Sequence, residues 1–177
     1  ADSETPIALM KMLDHSDETV REAILSALAK RFPDVIEGIL LPMISDESPN
    51  VRVRALRLAR AVRSPLVRDK LVEEIHSGKF HALPFTERRL AIETLHRIDP
   101  ALAEKVCVDI ARKKLHLSLD PAVHTTRIMV LGFLGEFGLS KGGWEALEDA
   151  TKRRPGNPQN VRDAAAAAIG RWRSRAQ

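Results

Sequence analysis

A chain of 177 residues that is 44% hydrophobic can bury a core of its own and fits one domain. Its 28 basic against 24 acidic residues leave a formal charge of +4, which permits an acidic partner without demanding one. Aromatics at 4% weigh against a β-sandwich, the single Cys107 excludes an internal disulfide, and no apolar run is long enough for a membrane helix.

Taken in chain order, the sequence alternates two kinds of helix. The first amphipathic stretch, 6–13, opens with Thr5 and Pro6, a capping residue followed by proline, and ends in a turn holding Asp14 and Asp17. A second helix starts at Thr19. The pattern then recurs: stretches at 34–45, 65–77, 100–115 and 142–153 alternate with helices from Asn50, Thr86, Thr125 and Asn160. Ser64-Pro65 and Asp99-Pro100 mark two of these starts, and breakers such as 46–50, 77–84, 118–121 and 154–158 separate the stretches.

The second helices align on one arginine each: Arg21, Arg52, Arg88, Arg127 and Arg162, separated by 31, 36, 39 and 35 residues. Three positions on stand Ile24, Ala55, Ala91, Val130 and Ala165, and seven positions on Leu28, Ala59, Leu95, Leu134 and Ile169. At about 100° per residue these share one side of a helix. Five helix–turn–helix units of about 35 residues follow, near 5–31, 33–63, 64–98, 99–138 and 141–175, an arrangement that stacks as an all-α solenoid.

The segment 39–56 resembles a HEAT repeat: an apolar first helix interrupted by Pro42, an acidic turn at Asp46, then Val51-Arg52 opening the second helix. The segment 9–28 resembles a shorter version of it. The likeness, to short HEAT-like repeats of the bacterial type within the armadillo-like α-solenoids, covers nearly the whole chain. It implies a right-handed α-solenoid of about five repeats, with the second helices lining a concave groove. It also implies a ladder in which the shared arginines tie each helix start to a turn. Two units depart from the pattern: the third has Ala82-Leu83-Pro84 where the acidic turn belongs, and the fifth has Asn157.

The stretch 51–63 carries five arginines in thirteen positions. On a helical wheel Val51, Ala55, Leu58 and Val62 form the edge expected to be buried. Arg57 and Arg60 lie opposite, Arg54 and Arg63 flank them, and Arg52 sits at the boundary. Repetition explains Arg52 but not the others. Arg54, Arg57 and Arg60, with Arg89, Arg97 and the small-sided Gly132, form the expected partner-binding groove, suited to a protein with an acidic surface. Gly132, Gly135 and Gly138 read as residues inside a helix that allow close approach.

Nucleic acid is the alternative partner, supported by a second basic zone of Lys152, Arg153, Arg154, Arg171, Arg173 and Arg175. Glu22, Glu93 and Asp163 interrupt the long basic track that duplex DNA wants, however, and single strands want aromatics beside the charges. A further alternative is an accessory subunit or a lyase-type HEAT protein, such as the bilin lyases. The six histidines, His15, His76, His81, His96, His116 and His124, form no His-Glu or i,i+4 pair. Cys107 reads as a small buried thiol. The expectation is a cytoplasmic, non-catalytic scaffold without cofactor or metal. The chain begins without methionine, as an excised or processed segment would. The apolar residues around 6–13 call for an end-to-end self-contact or an upstream part of a larger chain.

Overall fold

The computed structural model describes residues 4–112 and 120–175, with side chains from Ile7 onward. The described residues are all-α, with ten α-helices: α1 (Glu4–Lys11), α2 (Glu18–Arg31), α3 (Ile36–Met43), α4 (Pro49–Ala59), α5 (Pro65–His76), α6 (Phe85–Ile98), α7 (Pro100–Arg112), α8 (Pro121–Phe137), α9 (Lys141–Thr151) and α10 (Gln159–Arg175). The expected continuation of the seventh helix to 115, together with His116, lies outside the described residues.

Local sequence sets the helix starts. Asp17 accepts from Thr19 N–H, Ser48 from Asn50, Ser64 from Leu66 and Val67, Asp120 from Ala122, and Ser140 from Gly143. Each satisfies a donor that has no partner within its helix. Proline fills the first position after Ser48, Ser64 and Asp120, where no N–H is needed.

By compactness the chain divides into two units: the described residues up to Ser77 with Leu90–Ile98, and Gly78–Arg89 with those from Asp99 onward. In the first unit α2 packs on α4, while α3 packs on both α4 and α5. In the second unit α7 packs on α8 and α9, and α10 on α8 and α9. Each unit thus sets first helix beside first helix and second beside second, the layering of a helical solenoid. Leu25, Leu28, Leu40, Val51 and Leu71 fill the first core; Leu131, Leu134, Leu147 and Val161 fill the second.

Three details differ from the sequence reading. On α4 the buried residues are Val51, Ala55, Leu56 and Ala59, while Leu58 and Val62 are half-buried. α2 and α3 cover α4 from two sides, which widens the apolar stripe, and the helix stops at Ala59, so Val62 leaves its line. Arg60 accordingly caps the helix instead of standing on its face. α8 begins at Pro121 and not near Thr125, because Asp120 caps it and Pro121 suits its first turn. Gly138 lies just past α8 as its C-cap.

Candidate interaction surface and the arginine rungs

The bonds of the shared arginines decide which arginines remain for a partner. Arg21 donates Nη1 to the carbonyls of His15 (2.7 Å) and Ser16 (3.2 Å) in its own turn. Its Nε and Nη2 reach the carboxylate of Asp46 in the next turn at 3.0 and 2.8 Å. Both side chains are 6% exposed, so the pair is shielded from water. Asp46 also accepts Ser48 N–H. Burial works to raise the Asp46 carboxyl, but the Arg21 and Ser48 hydrogen bonds outweigh it and hold the group below its ordinary range.

Arg52 donates to the carbonyls of Asp46 and Glu47 in its own turn, at 2.7 and 2.8 Å. Arg88 has no acid in its turn. It donates instead to Ala122 O (3.0 Å) and to Thr126 Oγ1, whose hydroxyl passes a hydrogen bond to the same carbonyl. Its Nε is buried without a partner, and burial lowers its pKa.

Arg127 is 3% exposed and uses Nε and Nη2 on Ala111 O, Nη1 on Gly156 O, and Nη2 on Asn157 Oδ1 at 3.0 Å. Asn157 in turn donates to the carbonyls of Asp149 and Lys152. An amide thus stands where the first unit has a carboxylate. Arg162 donates to Asn157 O at 2.7 Å and folds back onto Gln159 of its own helix.

The candidate surface lies on α2 and α4 of the first unit. Glu18 accepts from Ser48 and Asn50, and Arg54 Nε donates to Ser26 Oγ at 2.8 Å. These links, offset by 28 to 32 residues, set the two helices parallel. Carried on to Lys30, that offset brings it level with the end of α4, at 58 to 62. The C-terminal ends of the two helices therefore carry Lys30 and Arg57, with Arg60 as the C-cap of α4 and Arg63 just beyond, all four exposed. No carboxylate of the described residues lies within ion-pair distance of these four. Some exposed cations elsewhere are paired: Arg112 and Lys141 with Glu145, and Lys152 and Arg154 with Asp149.

The remaining expected site residues are dispersed. Arg54 is half-buried and committed to Ser26. Arg89 and Arg97 are both exposed on α6, eight residues apart, but Arg89 belongs to the second compact unit and Arg97 to the first. Gly132 lies under the tip of Arg171, whose Nη2 would stand 3.7 Å from an added Cβ. Gly135, read from the sequence as allowing close approach, is buried: a Cβ there would meet Ala168 atoms at 2.7 Å, so α10 closes over it. The second basic zone is partly neutralised, since Lys152 and Arg154 share Asp149, and their hydrogen bonds hold that carboxyl below its ordinary range.

Sequence reasoning missed a cluster in the second unit. Trp144 and Trp172 meet edge to face at 5.8 Å between ring centroids, with Arg173 over the first ring and Arg175 over the second. The run Arg171-Trp172-Arg173-Ser174-Arg175 was the available signal.

Cys107 is buried, and burial, with Glu104 adding to it, pushes its thiol far above the ordinary range, leaving no thiolate. Among the described residues no group of three His, Cys, Asp or Glu side chains is placed to hold a metal ion. None of the described helices is long and apolar enough to cross a membrane.

No family of known proteins matches the chain, and no curated protein does. One similar solved structure is a designed armadillo repeat protein in complex with the peptide (KR)4, 18% identical, with 93% of this chain and 80% of that chain covered at a TM-score of 0.45.

Proposed function

We propose that the chain is a non-catalytic interaction scaffold of the HEAT type, which holds a protein partner through carboxylates set against the basic face of α2 and α4. The observation that carries this reading is the face itself. Lys30, Arg57, Arg60 and Arg63 are exposed together with no carboxylate of the described residues to neutralise them. The repeat does not require them, because the helix ends are already tied by Arg21, Arg52 and Ser48. Their mutual repulsion in the free chain is relieved when an acidic surface docks.

The patch is short. Affinity for duplex DNA accumulates over many phosphate contacts, and four cations at one end of two helices offer few. Glu22, one helical turn before Ser26, bounds the face on its N-terminal side.

Fluorescence anisotropy tests the reading with a labelled twelve-residue polyglutamate and a labelled 20-base-pair duplex at two salt concentrations. The peptide should bind the chain, and Arg57→Ala with Arg60→Ala should weaken it about tenfold with a flatter salt dependence. Unchanged peptide binding by the double variant, or tighter binding of the duplex than of the peptide, would contradict it.

A further inference from the structure

At the α8–α9 connection Leu139 is 84% exposed, more than any other large hydrophobic among the described residues. Such exposure on a loose loop would mean little, but this connection is fastened on both sides. Glu104 Oε1, reaching over from α7, accepts Leu139 N–H at 3.0 Å, Ser140 N–H at 2.8 Å and the Ser140 hydroxyl at 2.7 Å. From the other side Arg175 Nη2 donates to Gly138 O at 2.8 Å.

Two glycines make the fastening fit. A Cβ at Gly143 would overlap the Glu104 carboxylate, and one at Gly138 would overlap the Trp172 ring. The leucine is therefore held out by a built corner.

Beside it the two tryptophans carry two guanidinium groups, Arg173 at 5.6 Å from the Trp144 centroid and Arg175 at 5.4 Å from that of Trp172. A guanidinium held over an indole has already lost much of its rotational freedom, and apart from the Arg175 Nη2 bond to Gly138 O the donors of these two stay available to a partner. Both arginines are exposed, as is Arg171 one turn earlier. Among the described residues no carboxylate lies within ion-pair distance of any of the three. The C-terminal end of α10 favours cations there, yet Arg171 and Arg175, four apart, repel each other.

We propose that the corner formed by Leu139, Trp172, Arg173 and Arg175 is a second docking surface, for an acidic peptide segment of a partner protein carrying an apolar side chain that covers Leu139. The arginines select carboxylates, and the pinned leucine supplies a rigid apolar anchor of the kind that concentrates binding energy. Single-stranded nucleic acid fits less well, because it needs open aromatic platforms. Here each indole lies under a guanidinium and against the other ring. This surface is separate from the α2–α4 face and does not rest on it.

The test is selection of a random dodecapeptide display library against the intact chain, followed by binding measurements on the enriched peptides. Enriched peptides should combine Asp or Glu with Leu, Ile or Phe. They should lose at least tenfold in affinity for Leu139→Ser, and as much for Arg173→Glu, while binding Arg57→Ala with Arg60→Ala unchanged. Leu139 is exposed, so its variant should melt like the parent chain, which separates lost docking from lost folding. Four results would overturn the proposal: no enrichment, peptides that bind Leu139→Ser as well as the parent, loss confined to the Arg57 and Arg60 variant, or a 20-nucleotide poly(dT) that outcompetes the peptides.

Discussion

Arg21 in the first unit and Arg127 in the second occupy the same place in the repeat and are equally hidden, at 5% and 3% exposure. Their surroundings are nonetheless opposite. Arg21 meets the carboxylate of Asp46 through two donors, and that hydrogen bond raises its pKa. Arg127 meets only neutral acceptors, the carbonyls of Ala111 and Gly156 and the amide of Asn157, and burial lowers its pKa. The position evidently asks for acceptors at fixed places more than for a counter-charge. A guanidinium can meet that demand because its five donors lie in one rigid plane and it stays protonated.

The largest effect should come from Arg127→Ala. Removing this side chain leaves the carbonyl of Ala111 and the Asn157 Oδ1 without their donor in a buried site, so denaturation should show a loss of about 3 kcal/mol. A change below about 1 kcal/mol would mean that water replaces the guanidinium there.

Lysine substitution sharpens the comparison. Arg127→Lys keeps the charge but cannot reach acceptors on two sides, and should lose about 2 kcal/mol. Arg21→Lys can still meet Asp46 and should lose less. Equal losses, read from denaturation midpoints, would show that charge and not donor geometry governs both places.

Acid should separate the units next. The Asp46 carboxyl is held below its ordinary range, so it binds a proton less readily folded than unfolded. Its contribution is present above the unfolded pKa, near 4, and is lost as pH falls from there through the folded value. The acceptors of Arg127 itself do not titrate, and the nearest lowered carboxyl, Asp149, pairs with Lys152 and Arg154 at a solvent-exposed site and not with Arg127. Amide hydrogen exchange around Asp46 and Arg21 should therefore accelerate, relative to that around Asn157 and Arg127, between pH 5 and about pH 3. Parallel behaviour of the two regions would contradict the assigned difference.

Much of the fold was legible in the chain because its signals are local and repeated. The arginine register located all five second helices, and Ser64-Pro65 gave the start of α5 to the residue. α8 was misplaced because Asp120-Pro121 reads equally as a breaker and as a cap. The burial of Leu56 depends on α3 as well as α2 lying against α4, which periodicity within one helix does not reveal. Asn157 looked like a gap in the acidic turns. Only the folded chain shows its amide accepting from Arg127 while donating to two carbonyls. The Trp–Arg corner was illegible for a related reason: Trp144 and Trp172 stand 28 residues apart, and Glu104 lies 39 before Gly143.

The division of arginines into rungs and surface is tested most directly on α4, where both kinds share one helix. Denaturation of Arg52→Ala should be compared with that of Arg57→Ala and Arg60→Ala together. Removing Arg52, which holds the carbonyls of Asp46 and Glu47, should lower stability by at least about 1 kcal/mol. The double variant should stay within about 0.5 kcal/mol of the parent chain. Equal losses, or a larger loss from the double variant, would place Arg57 and Arg60 in the framework and contradict the account.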